Sequence, residues 1–443
     1  MKKLTGKRNV ILYGCSGLGC TMLNLIVGSY LCSALLVGGF EDHIENWTYL
    51  NKDLVTAGLW SVLILLAKVV DGLIDLPLSH FVDNMNTKWG KRKTAIVIGF
   101  IPMLLSYLMF LIPIEPTQSL LNTIWFGAWL MMFYTSYTLT MITYYATFAE
   151  VASSQHDIVL LSNTKSVCDV AYFSLGYALV PAFVSMGVNI RIVALLFIPL
   201  SLTMLIPLFL LKENDTLQQE VPKKKHRDSE KPTFVKSLLF TLKDKPYLMW
   251  LCTLFVMNVG LQLFLSGINE YFSTTGLNMT FVMASCFVPV PFTIVLYNKV
   301  MKKRGLGFAY RYILLVYSIG MSLMGLCKFI PQGFVYPFAI GCSLIVSFSI
   351  GAFFSVTYTV PSQRAAARKE QKEGTASSMY FAIQGLFEGA STGVASGLIL
   401  VFLKQKGYIS VLTLIVAAAC MLAFFMSYFL PHSISRIGRQ DEK

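Results

Sequence analysis

The chain has 443 residues, of which 55% are hydrophobic and 13% are charged, and its formal net charge is +13. A soluble globular protein carries about 25% charged residues, so this composition excludes that class of protein. The Lys and Arg residues lie in short stretches between apolar runs, which indicates membrane topology and excludes a nucleic-acid partner. The sequence therefore predicts an all-α polytopic protein embedded in the lipid bilayer.

Apolar runs that are long enough to cross a bilayer repeat along the whole chain, since a membrane helix needs about 20 apolar residues. We predict about twelve spans, half of them on either side of a long polar stretch. The predicted spans are 9–38, 52–82, 94–114, 121–148, 158–185 and 190–211, then 246–272, 278–300, 309–328, 335–360, 376–402 and 408–430. The predicted parts are an N-terminal bundle (1–211), a cytoplasmic central loop (212–245), a C-terminal bundle (246–430) and a cytoplasmic tail (431–443).

The Lys and Arg residues fall in every second loop, and this alternation orients the chain. The N-terminal residues, the 82–93 loop, the central loop, 302–304, 364–372 and the tail are rich in them, whereas the opposite loops are poor in them. Lys404 and Lys406 are exceptions in an opposite loop. Loops rich in Lys and Arg stay in the cytoplasm, so we expect a multi-pass protein of the cell membrane with both termini cytoplasmic.

The second predicted span carries three charged residues, Lys68, Asp71 and Asp75, into an apolar run. Residues three or four apart lie on one face of a helix. An ionised side chain in hydrocarbon is unfavourable and therefore faces a bundle interior or a watery cavity. Two interpretations follow. One is a Lys–Asp pair that fastens neighbouring helices, and the other is a cation site in a transporter, where two carboxylates one turn apart share one positive charge.

The two halves of the chain have similar loop patterns. Each half has a basic loop between its second and third span, at 86–93 and 302–311, and a polar loop between its fourth and fifth, at 153–157 and 362–374. This layout resembles the major facilitator superfamily. The resemblance implies twelve transmembrane helices in two six-helix bundles, which rock around a site near the bilayer midplane.

A more specific resemblance starts in the second span. Asp71 and Asp75, followed by Asp83 and the turn 89–92 (WGKR), resemble the glycoside–pentoside–hexuronide:cation symporter family, of the melibiose permease type. The resemblance runs through most of the first half. It implies that Asp83, Lys91 and Arg92 belong to the inner gate of the transporter, although a positive-inside anchor also accounts for some of the basic residues.

The same resemblance implies that a coupling cation binds between Asp71, Asp75 and Thr138 of the fourth span. Hard cations prefer several oxygen ligands, and these side chains supply them. Ile74 departs from the pattern, because the sodium-using members often place an amide at this position. Losing one oxygen ligand weakens the case for sodium and strengthens that for a proton. The coupling ion is therefore left as Na⁺ or H⁺, at the only metal-binding position we expect, and no other cofactor is expected.

In the melibiose type of the family, two acidic residues and one basic residue bind the sugar hydroxyls. The resemblance places Thr21, Met141 and Lys165 at these positions, so the two acids differ and the basic residue persists. The aromatic residues Tyr144 and Tyr145 follow the second of these positions. Carboxylates hold sugar hydroxyls through charge-assisted hydrogen bonds, so the loss of two acids argues against a simple neutral glycoside. The solute is predicted to be a small organic molecule, with a glycoside or uronide as one possibility.

Further charges lie inside predicted spans. Lys165 and Asp169 are four apart and can pair on one face of the fifth span, and Glu388 lies in the eleventh span, where the family often carries a lysine. We count two central cations (Lys68, Lys165) against four carboxylates (Asp71, Asp75, Asp169, Glu388). This surplus requires protons, a metal cation or a positive group on the solute. A buried interhelical hydrogen bond is the alternative for Asp169 and Glu388.

The preferred function is cation-coupled secondary symport of a small organic solute into the cell by alternating access, carried out by a monomer. The alternative is a lipid or lysolipid transporter of the same fold, because Met141, Tyr144 and Tyr145 make the pocket less polar. An enzyme is not expected. The sequence has five histidines, with no nucleophile–base set, no His/Cys cluster with metal-ligand spacing and no phosphate-binding glycine loop.

Overall fold

The computed structural model describes residues 4, 6–41, 43–83, 85, 87–151, 155–211, 241–275, 277, 279–370 and 377–437. Most of the predicted central loop and the last residues of the tail lie outside these ranges. The side chains of Asp75 and Asp83 are also outside the described set. Within the described ranges the chain consists of helices joined by short connections.

The chain divides into two compact units. The first contains the described residues of Met1–Val37 and His43–Arg227, and the second contains those of Gly38–Asp42 and Asp228–Lys443. The α-helices of the first unit are α1 (Lys7–Gly14), α2 (Leu18–Ile26), α3 (Ile44–Trp47), α4 (Ala57–Asp83), α5 (Lys91–Phe110), α6 (Leu120–Val151), α7 (Gln155–Ser185), α8 (Ile190–Leu196), α9 (Ile198–Ser201) and α10 (Ile206–Leu210).

The second unit continues the helical pattern. Its α-helices are α11 (Lys245–Thr275), α12 (Met279–Phe287), α13 (Val290–Arg304), α14 (Leu306–Met324), α15 (Gln332–Glu370), α16 (Ser377–Gly393), α17 (Val401–Lys406), α18 (Leu412–Met426) and α19 (His432–Ser435). Wider π-helical turns occur at Val27–Leu31 and Val394–Leu400, where they extend α2 and join α16 to α17.

Eleven helical segments of the described chain are long and apolar enough to cross a membrane by length and composition. The fourth predicted span is α6, whose 32 residues exceed that length. Its tyrosine and threonine residues lower its hydropathy, so it is not among the eleven. With α6 included, the predicted twelve transmembrane helices of an all-α fold are confirmed.

Three predicted spans differ from the prediction because they are interrupted: the first, the sixth and the eighth. In the eighth, α12 ends at Phe287 and α13 begins at Val290. In the first span, α1 ends at Gly14 and α2 begins at Leu18. The sixth span is divided into α8, α9 and α10, with Pro199 and Pro207 in the first turns of α9 and α10. Proline lacks a backbone N–H and cannot continue a helix ladder. Hydropathy alone does not reveal such interruptions.

Close backbone contact explains a glycine of the first span. A Cβ atom at Gly19 would lie 2.0 Å from the carbonyl oxygen of Leu200. Such a contact is impossible for any other residue without moving the backbone of α9. Small residues permit helices in membranes to approach closely, and Gly19 thereby fixes α2 against α9.

The second unit contains a buried ion pair near one end of α11. The Nζ atom of Lys404 lies 3.0 Å from Oε1 of Glu270, and the two side chains are 2% and 0% exposed. The same ammonium group lies 4.7 Å from the ring centroid of Phe40. The described segment 38–41 belongs to the second unit, and its Phe40 ring lies against the ammonium group of this buried ion pair.

A second buried charge lies at the opposite end of α11. Asp244, directly before the helix, accepts hydrogen bonds from Nη2 of Arg364 at 2.6 and 2.7 Å and from the Tyr380 hydroxyl at 3.1 Å. Arg364 belongs to α15, which continues to Glu370 and so exceeds the predicted span 335–360 by several residues. The pairing joins the start of α11 to α15 and α16.

Candidate functional site

The centre of the first unit has two polar contacts between α4 and α6. The Thr138 hydroxyl donates to Oδ1 of Asp71 at 2.6 Å, and the Lys68 ammonium lies 3.7 Å from the ring centroid of Tyr134. Lys68 and Asp71 are three residues apart on α4 and therefore lie on one face of that helix. Tyr134 and Thr138 are four residues apart and lie on one face of α6. The two contacts therefore lie side by side between the two helices.

The electrostatics of this group suit a positive charge. Lys68 and Asp71 are close enough to interact electrostatically, and the face of an aromatic ring attracts a cation. Thr138 is 6% exposed, so its hydrogen bond to Asp71 is shielded from solvent. A carboxylate with a hydroxyl beside it can hold Na⁺ or carry a proton, and Lys68 offsets only part of the Asp71 charge.

The predicted gate residues and Asp75 lie in the second half of α4 and at the start of α5. Asp75 and Asp83 belong to α4, but their side chains lie outside the described set. Lys91 and Arg92 open α5, where Arg92 is 7% exposed. The predicted gate residues therefore stay predictions. Burial of Arg92 is unusual for a residue that only anchors a loop in the cytoplasm.

Three of the predicted solute-binding residues make contacts within the first unit. The Thr21 hydroxyl donates to the carbonyl oxygens of Gly17 and Leu18. The Tyr144 hydroxyl donates to the carbonyl oxygens of Tyr13 and Gly14, at 2.6 and 2.9 Å, and Met141 is buried. These hydroxyls are already engaged by the backbone, so Thr21 and Tyr144 connect turns and helices in addition to any contact with a solute.

The fifth-span charges form a second polar group. Lys165 and Asp169 pair within α7, with side chains that are 26% and 33% exposed. The Lys165 ammonium also lies 5.1 Å from the ring centroid of Tyr145 on α6. The pair and the aromatic face together present a cation, an anion and a ring at one place in the first unit.

Glu388 lies in a network of amide side chains in the second unit. Nε2 of Gln384 donates to Oε1 of Glu388 at 2.9 Å. Nδ2 of Asn258, on α11, donates to the Ser391 hydroxyl at 2.6 Å and to the Glu388 carbonyl oxygen at 3.2 Å. Asn258 thus connects α11 to α16 through a backbone carbonyl oxygen and the Ser391 hydroxyl, whereas the hydrogen bond from Gln384 to the Glu388 carboxylate lies within α16. The interhelical hydrogen bond of the Glu388 carboxylate stays a prediction.

Sequence reasoning missed Tyr134, Gln384 and Asn258. Tyr134 precedes Thr138 by four residues, and Gln384 precedes Glu388 by four residues. This spacing places each on the same helix face as a residue that was selected. The spacing of Tyr134 and Gln384 was therefore visible in the sequence. An uncharged polar residue in an apolar run is nevertheless common, whereas a charged one is rare.

Asn24 on α2 is another missed residue. Its side-chain oxygen is buried and has no hydrogen-bond partner in the described part of the chain. Close approaches of Gly17 to Met141 and of Gly28 to Tyr134 show how α2 runs along α6. Asn24 lies between these two glycines in the sequence, so it is level with the stretch of α6 that contains Thr138.

The chain matches the family described as MFS/sugar transport protein over residues 12–434. The chain belongs to this family. It is accordingly a transporter of the major facilitator superfamily and a multi-pass membrane protein, and the prediction that it is not an enzyme is confirmed. The family description names sugar transport, so a lipid or lysolipid transporter is not favoured.

Solved structures of major facilitator transporters share the fold of this MFS/sugar transport protein. The D-xylose–proton symporter has 14% identity and a TM-score of 0.64, with 96% of this chain and 98% of that chain covered. The nucleoside transporter NupG has 13% identity, a TM-score of 0.62 and the same coverages. A bacterial homologue of the iron transporter ferroportin has 13% identity and a TM-score of 0.61, with 95% and 97% covered. No curated protein matches the chain significantly.

Proposed function

We propose that the protein is a cation-coupled symporter that moves a small organic solute into the cell by alternating access. The observation that supports this most directly is the contact between Asp71 and Thr138, with Lys68 on the Tyr134 ring one turn away. A carboxylate inside a membrane bundle is unfavourable unless a cation or a proton neutralises it. Binding of the ion would therefore favour the conformational change that carries the solute.

Coupling requires that the ion and the solute stabilise the same conformational change. A ligand shifts an equilibrium only by its different affinity for the two states. When the ion is absent, the Asp71 charge opposes passage of the site through a closed, dry intermediate. When ion and solute are both bound, the charge is balanced and the polar groups are satisfied, so the loaded carrier changes state more readily.

The coupling ion is Na⁺ or H⁺. For sodium, oxygen ligands are required, and Asp71 and Thr138 contribute two kinds of oxygen at one level of the first unit. The buried oxygen of Asn24 is a further candidate at that level, and Asp75 is predicted to be another. For a proton, Asp71 alone suffices as the carrier.

Solute-binding candidates occur in both units. In the first unit they are Lys165, Asp169 and Tyr145, and in the second unit they are Glu388 and Gln384. Charged and amide groups of this kind bind hydroxyl and carboxylate groups through hydrogen bonds. The family description is consistent with a sugar-like solute, and we propose a glycoside or a uronide. Both termini are proposed to be cytoplasmic, in the cell membrane, in accordance with the distribution of Lys and Arg.

Uptake by proteoliposomes tests the proposal. Thermal-shift screening of glycosides and uronides first identifies a solute that binds. Uptake of this solute in labelled form is then measured with sodium and proton gradients imposed separately. One charge moving through a potential of about 100 mV corresponds to about 2.3 kcal/mol. That free energy supports about 50-fold accumulation. We expect one of the two ions to drive accumulation of this order, and uptake that neither gradient accelerates would exclude symport.

Thr138→Val is expected to weaken the binding of the coupling ion while leaving the fold intact. Valine has nearly the shape of threonine but lacks the hydroxyl that contacts Asp71. A hydrogen bond to a charged group is worth about 1.5 kcal/mol or more, so the ion concentration for half-maximal uptake should rise about tenfold. Thr143→Val is the matched control, because within the described residues that hydroxyl donates to the Leu139 carbonyl oxygen of its own helix. Equal ion dependence in both variants would contradict the role of Thr138.

A further inference from the structure

Arg311 lies in an unusual place for a charged residue. It belongs to α14, which begins at Leu306, and so lies about 7 Å into the helix at about 1.5 Å per residue. Its Nε atom donates to the Gly307 carbonyl oxygen at 3.0 Å, and its Cζ atom lies 4.6 Å from the ring centroid of Tyr428. These are its contacts within the described part of the chain. A guanidinium group has five N–H donors, so four of them remain for a group outside the protein.

The side chains around Arg311 are aromatic and point away from the core of the second unit. The exposed aromatic residues of α14 and of the stretch at the end of α18 are Phe308, Tyr312, Phe425, Tyr428 and Phe429. Aromatic residues of this kind are enriched where a membrane protein meets the lipid headgroups. Arginine side chains near the ends of membrane helices reach towards the same level. Both features are typical of the boundary between acyl chains and headgroups.

Further positive charges lie at this end of the second unit. Lys302, Lys303 and Arg304 form the last turn of α13. The amide of Leu306 donates to the carbonyl oxygen of Ile437 at 2.9 Å, which brings the exposed Arg436 to the same end. The stretches 271–369 and 389–440 contain no Asp or Glu, so helices α12, α13, α14, α18 and α19 offer no carboxylate to neutralise these charges.

Positive-inside topology explains the three basic residues between α13 and α14, but it does not explain a guanidinium group inside α14 that stacks on a tyrosine. A planar guanidinium group matches a phosphate bidentately and stacks on aromatic rings. We propose that Arg311, with Tyr428 beneath it and Arg436 nearby, forms a binding site for the headgroup of an anionic phospholipid. The exposed aromatic residues would contact its acyl chains. This site is independent of the transport cycle proposed above.

Lipid binding to the full chain in detergent tests the site. Phosphatidylglycerol and phosphatidylcholine are titrated separately, and bound lipid is counted by native mass spectrometry while thermal stability is recorded. Each Lys or Arg near an anionic membrane surface contributes about 1 kcal/mol. Arg311→Gln should therefore weaken binding of phosphatidylglycerol about fivefold or more, with phosphatidylcholine unaffected. Arg311→Lys, which retains the charge but not the planar fork, should fall between wild type and Arg311→Gln.

Lys328→Gln is the matched control, because it removes one exposed positive charge just beyond the other end of α14. Equal effects of Arg311→Gln and Lys328→Gln, or equal binding of the two lipids, would overturn the proposal. If inorganic phosphate stabilised the protein as much as phosphatidylglycerol does, the site would bind a soluble anion and the proposal of a lipid site would be wrong. If the chain's own Asp441 and Glu442 occupied the site, Asp441→Asn with Glu442→Gln would destabilise the protein like Arg311→Gln, and lipid preference would be absent.

Discussion

Asp71→Asn is expected to abolish ion-driven accumulation of the solute. The substitution removes the negative charge but keeps an oxygen that can accept the hydrogen bond from Thr138, so the contact between α4 and α6 should persist. Removing one partner of a close charge pair weakens binding by about 2–5 kcal/mol. Ion affinity should therefore fall about 30-fold or more. Exchange of labelled for unlabelled solute, which needs no net ion movement, should continue.

Asp53→Asn is the control for this experiment. It makes the same chemical change in an exposed connection, where the Asp53 carboxylate accepts a hydrogen bond from the Val37 amide at 2.7 Å. This variant should accumulate the solute like the wild type. Normal accumulation by Asp71→Asn would mean that the cation site lies elsewhere. Loss of both accumulation and exchange would point to a structural role for Asp71.

Glu270→Gln is expected to destabilise the second unit strongly. The substitution leaves the Lys404 ammonium buried beside a neutral amide, where the side chain is 2% exposed. Breaking a buried ion pair by removing one partner is unfavourable by about 3–5 kcal/mol. The double variant Glu270→Gln with Lys404→Met should be closer to the wild type than either single variant, because no charge is then left uncompensated. The midpoint of thermal unfolding in detergent measures the effect.

Lys406→Met is the matched control for Lys404→Met. Lys406 is exposed and lies two residues further along the same short helix. Surface substitutions change stability by about 0.5 kcal/mol or less, so Lys406→Met should unfold like the wild type. If Lys404→Met were equally harmless, the ion pair with Glu270 would contribute nothing to the stability of the unit.

Helix number and class could be predicted from the sequence because the bilayer acts on each span separately. Every membrane helix must satisfy its own backbone hydrogen bonds and fill the hydrocarbon thickness. The exceptions follow from local chemistry. Pro199 and Pro207 divide the sixth span, which nevertheless stays apolar enough to cross a membrane. Helix α15 continues beyond the predicted span because its polar end, with Arg364, is held by Asp244.

The candidate site could be predicted in part. The charges Lys68 and Asp71 stand out because they are expensive in hydrocarbon, and the family resemblance selected Thr138 as the partner from the fourth span. Tyr134 was not selected, since an aromatic residue in an apolar run is ordinary. Its role depends on the Lys68 ammonium lying over its ring, a distance that helix periodicity within one span cannot supply.

The sequence by itself determined that this protein is a polytopic transporter of the major facilitator superfamily, because run length, charge distribution and a local motif are properties of consecutive residues. The tertiary structure alone decided which buried charges meet. Glu270 and Lys404 are 134 residues apart, and the sequence placed the first at the end of a span and the second in a loop. They pair because α11 and the segment that contains Lys404 pack side by side, and a charge removed from water requires an opposite charge wherever packing brings one.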